Sequence, residues 1–308
     1  MQESDLDMRV LMIGSNGFVG VNLSQYLNRQ GFEVINADIS PPASICTDVS
    51  RKGLFSSDMK DVEFDAVVHL AAITRIRDTI DNPYRCYDVN CMGTLNVLEL
   101  ASQRRAERLI YASSANVYGL PLELPVKEST PFNPRTPYDY SKVISEYLVQ
   151  SYFRHKELPT VILRSWKLFG KHDSPQSAVS KFIGSCLRNE PVQLFNSGRD
   201  TTDLYHIENY CHAIELCLTK SEAVGEAFNV GTGNEFSVRR IAEIIRNMTK
   251  SQSELQLLPP RSTLESEPMR SYPSIEKIKC LLGYSPLVSL EEGLRRTVDF
   301  WREQVHMN

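Results

Sequence analysis

The chain has 308 residues, 42% of them hydrophobic, enough to form the core of one large α/β unit or of two lobes. Its net charge of −4, from 34 basic and 38 acidic residues mixed along the sequence, excludes a basic stripe for nucleic acid and a polybasic membrane patch. No apolar run approaches the roughly 18 residues of a membrane span. The polar, acidic start Met1-Gln2-Glu3-Ser4-Asp5 holds no secretory signal, so a cytoplasmic protein is expected. Seven cysteines without a Cys-x-x-Cys pair point to reduced, mostly buried thiols and to neither a disulfide framework nor a metal site.

The first element is a short apolar strand, Arg9 to Ile13, followed by Gly14-x-x-Gly17-x-x-Gly20 and by a segment, Val21 to Gln30, with helical spacing. Gly31 suits the end of that helix, and Phe32 to Ala37 resumes as a strand. A glycine turn between strand and helix lets the backbone approach a pyrophosphate, while the helix N-terminus supplies free N–H donors. Asp38, 18 residues after Gly20, can accept both ribose hydroxyls of an adenosine. The same carboxylate repels a 2′-phosphate, so NAD is expected over NADP.

Further strands are expected at Ala66–Leu70, Arg108–Ala112 and Thr160–Arg164, with helices at about 87–104 and 138–155. Buried strands alternating with helices argue for a parallel, doubly wound sheet. Five prolines between Pro121 and Pro137 mark an irregular loop, and Pro259 to Pro273 reads as another. Ser177–Arg188 and Ser237–Met248 read as amphipathic helices, and Ser289-Leu-Glu-Glu292 as a capping box opening a last one. Arg295-Arg296 reads as a pair of solvated helix positions.

At the start of the helix near 138, Tyr138 and Lys142 stand four residues apart, 24 residues after Ser114. On a helix they share a face and Tyr140 does not. A phenol titrates near ~10, and a fixed cation beside it favours the ionised form, which is the requirement for a base.

Taken together, Gly14-x-x-Gly17-x-x-Gly20, His69-Leu-Ala-Ala72, Asn90 with Gly93-Thr94, Ser113-Ser-Ala-Asn-Val-Tyr-Gly119 and Tyr138-x-x-x-Lys142 resemble the extended short-chain dehydrogenase/reductases. The set is most similar to their NAD-dependent nucleotide-sugar epimerase/dehydratase group, from about residue 9 to the end. The resemblance implies a Rossmann-type α/β domain over 1–170, which also receives part of about 203–235, and a smaller C-terminal α/β substrate lobe over 171–308. It implies that Asn16, Phe18 and Val19 line the diphosphate of NAD, and that Asp48 and Val49 flank its adenine. Leu70, Ala71 and Ala72 would pass the nicotinamide half, and Asn90 would hold the cofactor and its surrounding helix. Ser114, Tyr138 and Lys142 match the catalytic serine, the base, and the lysine that binds the nicotinamide ribose and depresses the tyrosine pKa.

The activity implied is 4-epimerisation of a nucleotide sugar, with transient oxidation at C4 and hydride return from bound NADH. A dehydratase of the group carries Asp and Glu after the serine, where this chain has Ala115 and Asn116; a decarboxylase usually carries Glu at the second place. A keto-sugar reductase would want Cys for Ala115, although His172 resembles a histidine of that subgroup. A non-catalytic NAD-sensing module is the alternative of another class. The family's Arg-x-x-Asn reads Arg164-Ser-Trp-Lys167 here, and Thr202 stands where a diphosphate-binding Arg is usual. Lys167, with Arg199, is expected to supply the missing charge, and Arg270 is a further candidate for substrate contact. Family habit suggests a homodimer through the helices near 87–104 and 138–155.

Overall fold

The computed structural model describes residues 8–260 and 269–306. Its centre is a seven-stranded parallel sheet of β1 (Arg9–Ile13), β2 (Glu33–Asp38), β3 (Ile45–Cys46), β4 (Ala66–His69), β5 (Arg108–Ser114), β6 (Thr160–Ser165) and β11 (Ala227–Val230). The spatial order is β11-β6-β5-β4-β1-β2-β3. Each expected strand is present; β3, only two residues long, gave no period to read. Residues 227–230 complete the edge beside β6, pairing Ala227 with Ile162.

The intervening helices are α1 (Phe18–Arg29), α2 (Lys52–Asp58), α3 (Ile76–Asp81), α4 (Pro83–Tyr87), α5 (Gly93–Gln103), α6 (Pro137–Lys156) and α8 (Ile207–Thr219). They cover both faces of the sheet with two apolar clusters. One joins Val10, Met12, Leu23, Ile110, Val161 and Ile214; the other joins Leu11, Ile13, Val67, Val97, Leu109 and Val149. Successive residues of β1 thus enter opposite clusters, as the pleat requires, and both faces being buried explains why its sequence is continuously apolar.

A third cluster surrounds Phe169, Ile183, Val192, Ile241 and Leu294. It is built from α7 (Ala178–Leu187), α9 (Val238–Thr249) and α11 (Leu290–His306), with the short strand pairs β7 (Lys167–Phe169) with β10 (Leu204–His206) and β8 (Val192–Leu194) with β13 (Leu255–Leu257). Two further short elements, β9 (Thr201–Thr202) and β12 (Phe236–Ser237), pair antiparallel, and α10 (Glu276–Leu282) packs beside β11. Ser177 and Ser237 cap α7 and α9 as expected. Half of the expected box at Ser289 forms: its hydroxyl accepts from the Glu292 N–H, but the Glu292 carboxylate turns to Arg295 and Arg296. Arg296 also reaches Glu208 and so ties α11 to α8, whereas Arg295 bonds only within α11, to Glu292 and Asp299, and stays solvated as expected. The loop expected from Pro259 to Pro273 lies in part outside the described residues. Five of the seven thiols are buried, and Cys46 and Cys280 are exposed. Among the described residues no helix is long and apolar enough to cross a membrane.

Two local devices position the site. Asp88–Met92 forms a π-bulge between α4 and α5, which turns Asn90 inward and frees its carbonyl for the Thr94 and Ser145 hydroxyls at 2.6 and 2.9 Å. The start of α6 is fixed by a full capping box: the Asp139 N–H donates to Thr136, the Thr136 N–H donates to Asp139, and Pro137 occupies the first turn.

Candidate active site

A cleft of about 390 Å³ opens at the C-terminal ends of the central strands, bordered by Gly14, Asn16, Gly17, Asp38, Thr47, Asp48, Val49, Leu70, Ala71, Ala72 and Arg85. The three glycines serve different ends. A Cβ on Gly14, at φ +92°, would stand 2.5 Å from the Ala71 nitrogen, and one on Gly20 2.5 Å from the Gly14 and Ser15 carbonyls. Both are required by the protein's own packing. A Cβ on Gly17 would meet nothing closer than 3.5 Å, so that glycine keeps open a space bordering the cleft. The first helical bond of α1 runs from the Val21 N–H to the Gly17 carbonyl, which leaves the N–H groups at the helix start available. These features suit a diphosphate held by backbone donors and the positive end of the helix.

Asp38 accepts the Asn16 N–H at 2.9 Å and the Ile39 N–H at 2.7 Å, which aims its carboxylate along the cleft wall. Asp48 is partly buried, which raises its pKa, but hydrogen bonds from Ser50 and the charge of Arg85 outweigh burial and leave it lowered. Arg85 spans Asp48 at 3.1 Å and Asp88 at 2.9 Å. Thr47 is buried with an unpartnered hydroxyl. Neither Arg85 nor Thr47 gave a sequence signal, since each lies in no motif and reaches the cleft only through the fold. The Phe18 and Val19 side chains pack on the core, so only their backbone could face a diphosphate. Asn90 likewise spends its amide on the protein, accepting from the Ile73 N–H and donating to the Ile73 carbonyl and the Ser141 hydroxyl. It therefore supports the cleft wall from behind.

Beyond Ala72, the C-terminal end of β5 meets α6. Tyr138 and Lys142 are both buried while Tyr140 is 49% exposed, the division expected from helical spacing. The Lys142 ammonium donates to the Ala112 carbonyl at 2.7 Å and lies 5.9 Å from the centre of the Tyr138 ring. Burial lowers its pKa to about 8, against the attraction of Glu146. For Tyr138 the expected depression is not found: burial pushes the phenol up to about 12, although the Ser114 side chain acts to lower it. Desolvation costs the phenolate more than these neighbours return.

Adjacent serines have separate tasks. Ser113 points into the core and donates to Glu146 at 2.5 Å, while Ser114 accepts the Asn116 N–H at 3.2 Å and faces Tyr138. Glu146 is held by Arg164 through bonds of 2.7 to 3.1 Å, and Arg164 continues to the Tyr118 hydroxyl at 2.6 Å. Asn116 donates to Asp139 at 3.1 Å, and His69, held down to about 3 by burial and by Lys142, is a neutral residue bonded to Thr94.

The remaining candidates are not gathered into one cluster. Lys167 is exposed at the strand end. Arg199 is bonded to Asn196 of its own turn at 3.0 Å, and Thr202 sits in the short pairing with Phe236. Arg270 is clamped by both oxygens of Glu235, at 2.6 and 2.7 Å. His172, at φ +64°, packs edge-on against Phe300, 5.1 Å between ring centres.

A sequence model described as the NAD dependent epimerase/dehydratase family matches residues 10–231. A Methanocaldococcus jannaschii protein named "Putative UDP-glucose 4-epimerase" is 32% identical over 309 residues, covering 95% of this chain and 98% of that protein. Human dTDP-D-glucose 4,6-dehydratase is 32% identical over 289 residues, covering 92% of this chain and 79% of that enzyme. The crystal structure of Thermus thermophilus UDP-glucose 4-epimerase in complex with NAD superimposes with a TM-score of 0.86 at 27% identity, over 96% of this chain and 99% of that one. The chain belongs to the NAD dependent epimerase/dehydratase family, and NAD is its cofactor.

Proposed function

We propose that this protein is a nucleotide-sugar 4-epimerase, acting on a nucleotide-activated hexose or hexuronic acid with Ser114, Tyr138 and Lys142 as its catalytic set. The observation that carries the reading is the state of the two residues after Ser114. Ala115 packs on the core, and Asn116 is spent on Asp139, so neither exchanges a proton. The nearby carboxylates are also committed. Asp139 holds the Arg135 and Thr136 N–H groups, and Glu146 holds Ser113 and Arg164. Elimination of water would need an additional acid and base; reversible oxidation of a carbinol does not.

Tyr138 takes the proton of the sugar hydroxyl, and Ser114 hydrogen-bonds the same oxygen as it becomes a carbonyl. NAD, when bound, accepts the hydride from that carbon and gives it back. Tyr138, its phenol pushed up to about 12 by burial, would be favoured as the phenolate by the positive charge that bound NAD would supply. If the keto sugar turns over between the two transfers, hydride returns to the other face, Tyr138 gives its proton back, and the carbon is inverted with no net redox change. Lys142, anchored on Ala112, keeps a cation near the phenol and would bind the nicotinamide ribose. The cleft between Gly14 and Ala72 is the place for the rest of the cofactor, and Asp38 is the residue for the adenosine ribose.

The deciding experiment is incubation of the NAD-loaded protein with UDP-, dTDP-, GDP- and CDP-sugars, with products read by NMR. A C4 epimer formed without accumulation of reduced cofactor is expected; a 4-keto-6-deoxy sugar or released carbon dioxide would replace this reading by a dehydratase or a decarboxylase.

Exposed apolar side chains on α3, α4 and the π-bulge (Ile80, Tyr84 and Met92) and on α6 (Tyr140, Ile144 and Tyr147) support a homodimer through these helices. Light scattering of the double variant Ile144→Glu/Tyr147→Glu should give half the mass of the unmodified protein.

A further inference from the structure

Lys167 owes its place to the register of the sheet. Ser114 on β5 pairs with Ser165 on β6, so Lys167 lies two residues beyond the strand partner of Ser114, at the same end of the sheet. Its backbone N–H is fixed on the Asp203 carbonyl at 3.2 Å, and β7 pairs it with Leu204. Its side chain is exposed and makes no hydrogen bond or ion pair among the described residues. The charged group acting on it is Asp139, the residue after Tyr138. Asp139 does not close an ion pair with it, because its oxygens already hold the Arg135 and Thr136 N–H groups and the Asn116 amide. Arg199 and Arg270 differ in this respect, being bonded to Asn196 and Glu235.

An unpaired ammonium at the same end of the sheet as Ser114, acted on by the charge of Asp139, is a poor match for a neutral hexose. The oxygen that Tyr138 deprotonates is on C4 of the sugar, whereas the nucleotide diphosphate hangs on C1, across the ring. Of the two ring neighbours of C4, C3 carries a hydroxyl and C5 carries the substituent that in a hexuronic acid is a carboxylate. We propose that Lys167 binds a carboxylate on the sugar ring, so that the substrate is a nucleotide-linked hexuronic acid and not a neutral hexose. The proposal rests on the reading that the chain acts on nucleotide sugars. It makes Lys167 a specificity residue: a strongly hydrated point charge that selects an anion without requiring a bidentate fit.

The test uses the NAD-loaded protein, UDP-glucuronate and UDP-glucose as probes, and the variants Lys167→Asn and Lys167→Arg. The unmodified protein should show the higher kcat/KM on the uronate. Lys167→Asn should reduce the uronate-to-hexose ratio by about 30-fold, the usual worth of a hydrogen bond to a charged group. Lys167→Arg should retain most of the ratio, and the affinity for UDP itself should persist in both variants. Equal losses on the two sugars together with weakened UDP binding would move Lys167 to the diphosphate and overturn the proposal. If neither sugar is turned over by the unmodified protein, the epimerase reading fails by itself and competition binding of the two sugars decides this one. A Lys167-dependent preference for the uronate then supports it, and equal binding overturns it.

Discussion

From Ile13 to Arg85 the cleft is lined by strand ends, glycines and backbone N–H groups, and its acids are oriented mainly by turn and strand-end donors: Asp38 by the Asn16 and Ile39 N–H groups and Asp48 by Ser50, with Arg85 of α4 added by the fold. The substrate candidates Lys167, Arg199, Thr202 and Arg270 come from separate loops and short strands, and two of the three cations are already bonded within the protein. The contrast teaches that a site made of backbone is specified wherever its motif occurs, while a site made of long side chains depends on which of them the fold leaves unpaired. Asn196 and Glu235 decide this for Arg199 and Arg270.

The sharpest break between the halves is chemical. Tyr138→Phe should lower turnover by about 10³-fold or more while circular dichroism and NAD binding stay those of the unmodified protein, since a positioned base contributes ~10²–10⁴; appreciable residual turnover would deny Tyr138 its role.

Next comes the support behind both halves. Glu146→Gln leaves Arg164 buried with no charged partner and frees Ser113, and should cost about 3–5 kcal/mol in urea unfolding. A cost below ~1 kcal/mol would mean that the ion pair does not hold β6 to α6.

Lys142 gives a pH test of similar size. Its folded pKa of about 8 lies below the unfolded value of 10.5, so between these the unfolded chain binds more protons and stability rises with pH. The rise should be on the order of 3 kcal/mol across that window, by 1.36 kcal/mol per pKa unit. The check is the urea midpoint of the unmodified chain relative to Lys142→Met, which should rise as pH increases from 8 to 10.

The smallest effect separates the two halves from the other side. Arg270→Ala removes an exposed, solvent-screened ion pair with Glu235 and should change UDP affinity by less than about 3-fold. A larger loss of affinity would return Arg270 to the diphosphate.

Much of this protein is legible without coordinates because its signals are local. Continuous apolar runs mark strands buried on both faces, three glycines mark a backbone that must approach something closely, and the i,i+4 spacing singles out Tyr138 over Tyr140. The helix through Asp88–Met92 was legible as a helix but not as a π-bulge, since one extra residue per turn leaves no trace in the pattern of apolar positions.

The sequence by itself determined the sheet's strands, the glycine turn and the Tyr138–Lys142 spacing, because backbone geometry and residue period act over a few residues. Only the tertiary structure decided what each charge is near. It buried Tyr138 so that its phenol rises and does not fall, turned Ser113 and Ser114 to opposite partners, brought Arg85 and Thr47 into the cleft, and left Lys167 unpaired beside Asp139 among the described residues. Desolvation and ion pairing depend on distances of a few ångströms between segments far apart in the chain, and those distances exist only once the sheet has brought the segments together.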